Sequence, residues 1–156
     1  MRKRKIYFII AVISALIFSF SKFSLAEQLG AAPQETVEFI NKTNGILQGM
    51  TDKIKEKMDL IQQGVDSGGM PDGSRVEAEI IAIIAGYREQ IESLAAPEKC
   101  EEFKKIIVKL LNLMGQMHLA LSKGDIEQYK LLAPQVSEYS GKMQKEIQSL
   151  QAYYKN

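Results

Sequence analysis

Three side chains in one short stretch, Met114, Met117 and His118, are the best placed for chemistry in this chain. Positions 114 and 118 are one helical turn apart and 117 is adjacent. Two thioethers and an imidazole are soft ligands that suit Cu(I). The competing reading is structural. Met114 and Met117 fall in an apolar seam, where methionine fills core space. His118 flanks that seam as a boundary residue with its ring partly packed. It is the only histidine of the chain, and no nucleophile motif accompanies it. The structural reading is the stronger. No catalytic, cofactor-binding or metal-ligating residue is assigned, and Met114, Met117 and His118 stand as the weaker copper alternative.

Other patterns fall short of a site. Carboxylate metal centres in helical bundles use Glu-x-x-His, but Gly115 occupies the position three before His118. The haem-attachment pattern C-x-x-C-H is absent, because Cys100 is the only cysteine. Its place in a helical seam predicts burial rather than reactivity; the rival outcome is an intermolecular disulfide. Glu77 with Glu79, and Glu101 with Glu102, lie one or two residues apart and do not face each other on a helix. They read as capping groups and solvated charge. Asn41-Lys42-Thr43 matches a glycosylation sequon but sits within a predicted helix.

The elements that position these residues are all helical. A first helix is expected over about 34–63, with an apolar stripe at Val37, Ile40, Leu47, Met50, Ile54, Met58, Ile61 and Val65. Asn44-Gly45 and Gly49 predict a bend or weak spot in it. The glycine-rich run 64–73 reads as a loop. Ser74 and Glu77 form a capping-box pattern opening a second helix, about 74–95. Its Ile80–Tyr87 run is apolar most of the way round and predicts the most buried helix. Pro97 opens the third helix, about 97–122. Its seam is Cys100, Phe103, Ile107, Leu110, Met114, Met117 and Leu121, widened by Ile106, Leu113, Ala120 and Leu111. Gly124-Asp125 predicts a tight turn into a fourth helix, about 126–154. There the seam is Ile126, Tyr129, Ala133, Val136, Ser140, Met143, Ile147, Leu150 and Tyr154, with a kink or break expected at Pro134. Glu27–Pro33 reads as a frayed lead-in. The fold expected is all-α: a four-helix up-down bundle of helical hairpins. An oligomer completing its helix seams with a second chain is the structural alternative.

The Pro97-Glu98 helix start, with the layout of residues 97–154 behind an N-terminal leader, resembles small exported b-type cytochromes. That resemblance implies haem held by an early methionine and a histidine late in the last helix. The last helix here has no histidine, so neither a ligand nor haem carries over and no cofactor is expected.

The leader itself is the clearest functional signal. Arg2-Lys3-Arg4-Lys5 is followed by an apolar run from Ile6 to Phe20, then by Ser24-Leu25-Ala26. This is the three-part layout of a signal peptide over 1–26, cleaved before Glu27. The run is shorter than the ~20 residues of a spanning helix, so no stable membrane span is expected after cleavage. Full-chain charge is +1 from 20 basic and 19 acidic residues. Five basic residues and no acidic ones precede Glu27, so the remainder, a single domain over 27–156, is mildly acidic. That balance disfavours nucleic-acid binding. The reading is an exported, non-enzymatic helical bundle, periplasmic or secreted, binding an envelope protein partner or a ligand. The alternatives are a haem- or copper-binding bundle, and retention in the membrane by an uncleaved leader.

Overall fold

A computed structural model describes residues 29–66 and 73–155. The leader, the centre of the glycine-rich linker, and the Val65 and Ser74 side chains lie outside the described residues. Four α-helices fill the remainder: α1, Gln34–Asp66; α2, Gly73–Ser93; α3, Glu101–Lys123; and α4, Ile126–Lys155. A 3-10 turn, Glu98–Cys100, follows Pro97, so α3 begins later than the proline suggests. No strand occurs among the described residues.

Each helix runs antiparallel to the next. Lys57 bridges to Glu79, and Gly49 lies against Tyr87, which fixes α1 against α2. Glu77 with His118, and Arg88 with Asn112, fix α2 against α3. The α3–α4 hairpin turns at Gly124, whose φ of 71° suits a residue without Cβ. Its N–H donates to the Leu121 carbonyl and that of Asp125 to the Ala120 carbonyl, a full Schellman closure. Asp125 Oδ1 then accepts the Gln128 N–H and caps α4. At the other end a Thr36–Tyr154 hydroxyl contact of 3.2 Å joins α1 to α4. The result is the expected four-helix up-down bundle.

Helix α3 is the centre of the core. Phe103, Ile106, Ile107, Leu110, Leu111, Leu113, Met114, Met117, His118 and Ala120 are all buried along it. The isoleucine-rich α2, expected to be the most buried helix, buries only Glu77, Ile80, Ile84 and Ile91 among its described side chains. The physical reason is position. Helix α3 packs between α2 and α4, whereas one long face of α2 points to solvent.

Other expectations have mixed outcomes: the weak spot at Gly45 and Gly49 is tolerated without a break, while several seam details are corrected. Helix α1 is continuous through Gly45 and Gly49; Gly49 takes the Tyr87 ring edge, while nothing approaches Gly45. Helix α4 is likewise continuous through Pro134. Pro134 is exposed, so the carbonyl one turn before it keeps access to water. Ile126 is exposed, and Leu132 takes a buried place that the seam omitted. Residues 29–33 are not frayed: Leu29 is fully buried and its carbonyl accepts the Ala32 N–H.

Two stability outcomes follow. Leu110 is 1 % exposed at mid-core, so Leu110→Ala should cost about 2–5 kcal/mol in urea melts. Exposed Lys109→Ala should stay within about 0.5 kcal/mol. Gly45→Ala should stabilise by about 0.5–1 kcal/mol. Gly49→Ala should gain less or lose, because its Cβ would lie 3.1 Å from Tyr87 Oη and 3.2 Å from Cε1. In a Tyr87→Ala background that difference should close.

Candidate functional site

The polar centre of the molecule is a pair that no local pattern announces. Glu77, on the first turns of α2, is 2 % exposed, and His118, near the end of α3, is 1 % exposed. Glu77 Oε2 and His118 Nδ1 lie 2.8 Å apart, within hydrogen-bond distance. Glu77 is therefore neither a capping group nor solvated, and His118 is neither a boundary residue nor without a partner. Both side chains point inward because they sit on the stripes that join α2 to α3. Glu77 precedes Ile80 and Ile84 at steps of 3 and 4. His118 follows Met114 and Leu111 at the same steps.

The pair is held at some cost. Glu77 Oε1 is buried and has no hydrogen-bond partner among the described residues. A buried carboxylate with one unsatisfied oxygen is expensive, and it tolerates its place only because the imidazole engages the other oxygen.

A carboxylate on Nδ1 is also the arrangement that orients a metal-binding or general-base imidazole through Nε2. Around this pair, however, the neighbours supply packing. Met114 and Met117 are buried members of the hydrophobic core. Among the described residues no three His, Cys, Asp or Glu side chains gather in a metal-binding group. The structure thus brings Met114, Met117 and His118 onto one buried stretch of helix and adds Glu77. Sequence reasoning missed Glu77 because its partner is 41 residues away. The signal available was its in-phase spacing with Ile80 and Ile84.

Cys100 is a free, fully buried thiol at the 3-10 turn. Burial pushes it up to about 11, helped by the negative charges of Glu146, Glu101 and Glu35. Desolvation outweighs any help from the helix N-terminus, and the thiol is a core group rather than a nucleophile. Of the paired acids, Glu79 is half-buried, and its bond to Lys57 lowers its carboxyl below the ordinary range. Glu101 and Glu102 are exposed on the first turn of α3, where negative charge suits the helix dipole. In the sequon, Asn41 is exposed and Thr43 fully buried.

His118→Ala should destabilise by about 3–5 kcal/mol, because it leaves Glu77 buried and unpaired. Replacing both residues, as Glu77→Met with His118→Leu, should recover most of that loss in the same melts. The thiol gives a separate pH signature. Its folded value lies above the unfolded one, so its contribution is full below about pH 9 and is lost as pH rises towards about 11. The stability difference between wild type and Cys100→Ala should therefore shrink over that interval.

Comparison of this chain with protein-family models, with curated proteins and with solved structures gives no match.

Proposed function

We propose that this protein is an exported helical-bundle module that acts by binding, without catalysing a reaction, in the envelope or outside the cell. The observation that carries the reading is the leader: a basic cluster, a 15-residue apolar run, and small residues at Ser24 and Ala26. Two further points support it. Removing 1–26 would leave the whole described core intact, since its first fully buried residue is Leu29. No described helix is long and apolar enough to cross a membrane. The non-enzymatic part draws support from the Glu77–His118 pair, whose side chains are 3 % and 1 % exposed and so have little access to a substrate. A bundle by itself says nothing about chemistry. Binding would use the outer faces of the helices, where Leu60 and Leu131 are more than half exposed.

A second reading, a periplasmic copper-binding bundle, is favoured by one observation. His118 Nδ1 is engaged by Glu77, as in histidines that ligate through Nε2. Haem has no comparable support.

Fractionation with intact-mass measurement tests the first reading. The exported protein should have the mass of a chain beginning at Glu27. Full-length protein confined to the membrane fraction would replace this with the uncleaved-anchor alternative. Metal analysis separates the two binding classes. Copper content should be negligible and unchanged by His118→Ala, whereas stoichiometric copper lost in that variant would establish the second reading.

A further inference from the structure

The outward face of α2 differs from those of the other three helices in carrying alanines at its middle, with charged residues at both ends. Asp52, Lys55, Glu56 and Asp59 line the outer surface of α1. Lys105, Lys109, Asn112 and Gln116 are exposed on α3, and Glu127, Lys130, Gln135 and Glu138 on α4. On α2 the solvent side reads Arg75, Ala78, Ala82, Ala85, Glu89 and Glu92, spaced 3, 4, 3, 4, 3. All are exposed except half-buried Ala85. This is a second heptad stripe, on the side of α2 away from buried Ile80, Ile84 and Ile91. Ile81 flanks it, half-buried yet outside the hydrophobic core. The Glu77–His118 bond and the approach of Ile84 to Gly115 place Ile81 level with residues 115–118 of α3. The next residue of α3, Leu119, is 43 % exposed. One side of the bundle therefore carries small and apolar residues edged by charge.

We propose that this outer face of α2 is a self-association surface, covered by α2 of a second copy of the chain running antiparallel. The charge pattern selects both the occupant and its direction. The stripe is basic at its start, Arg75, and acidic at its end, Glu89 and Glu92. A parallel copy would set Arg75 against Arg75 and Glu92 against Glu92. An antiparallel copy with its two-fold axis between Ala82 and Ala85 sets Ala82 against Ala85 of the copy and each Arg75 against a Glu92. That is the self-complementary geometry of a two-fold interface. Alanines at the seam let the two helix axes approach to the short end of the usual ~8–10 Å packing range. Ile81 and Leu119 then border the contact. Arg75 now bonds half-buried Glu79, and Glu92 lies 3.5 Å from the Nε of half-buried Arg88, whose Nη1 donates to Asn112; Arg75 and Glu92 are themselves exposed. Such pairs contribute little and exchange readily. The seams of α3 and α4 are satisfied within the chain, so association through this face completes no core and requires no unfolding.

Sedimentation velocity on the protein as recovered from the cell, over a dilution series from micromolar to hundreds of micromolar, tests the proposal. Wild type should sediment as a monomer–dimer equilibrium. Ala82→Glu, a change at an exposed position, should leave helicity by circular dichroism unchanged and give monomer throughout. Arg75→Glu alone and Glu92→Arg alone should each weaken dimerisation about tenfold or more, since each creates like-charge contacts. The double variant Arg75→Glu/Glu92→Arg should return to within about threefold of wild type, because the pair is restored with its signs exchanged. A wild type monomeric across the series would overturn the proposal, leaving the face to a different partner. A dimer insensitive to Ala82→Glu would overturn it by placing the interface elsewhere. Failure of the double variant to recover would overturn the antiparallel arrangement.

Discussion

The bundle depends on the two-sided burial of α3. Its apolar stripe spans Phe103, Ile107, Leu110, Met114 and Met117 on the main seam, with Ile106, Leu113 and Leu111 beside it. A stripe that wide cannot be covered by one neighbour. Helices α2 and α4 close on it from either side, and α1 packs onto the assembly through α2 and the Thr36–Tyr154 contact. Burial of α3 on two sides leaves the outer helices free to differ in surface chemistry. Hydrophobic burial supplies most of the driving force. It does not by itself choose the register at which apolar helices slide against each other.

Register comes from the polar contacts. Glu77 and His118 meet in the core between α2 and α3, and a displacement of either helix by one turn would strand a carboxylate in an apolar environment. Arg88 with Asn112, farther along the same interface, repeats the alignment at the surface. Against α1, the Tyr87 edge fits over Gly49, where any side chain would crowd it. A few directional or steric fixtures thus turn a set of interchangeable apolar faces into one arrangement. That role accounts for a buried pair that burial alone would not favour.

The parts legible in the sequence were those governed by local spacing. The 3-4 rhythm from Cys100 to Met117 identified the core helix face residue by residue, and Gly124-Asp125 gave the hairpin with its cap. What resisted was long-range in origin. Glu77 looked like a capping carboxylate because its partner lies on another helix. The Ile80–Ile84 run looked central because isoleucine prefers burial, yet centrality depends on how many neighbours a helix acquires in three dimensions. Pro134 predicts a kink or a break, but the missing N–H at this exposed position does not stop the helix. Leu29 looked like part of a frayed segment because the composition around it is small and polar. Leu29 is nonetheless fully buried. For the candidate site, the sequence offered Met114, Met117 and His118 but not the carboxylate that determines how the histidine is held.

The seating of Leu29 and the contact of Thr36 with Tyr154 put the first and last described turns at the same pole. That placement sets how the protein would bear mechanical load. A force applied between the two ends would peel α1 and α4 away from that pole a turn at a time, so the contacts would break in sequence. Elements loaded along their length must instead break together. The bundle is therefore shaped to open progressively under tension, starting at the Thr36–Tyr154 clasp and reaching the Glu77–His118 region at the opposite pole last.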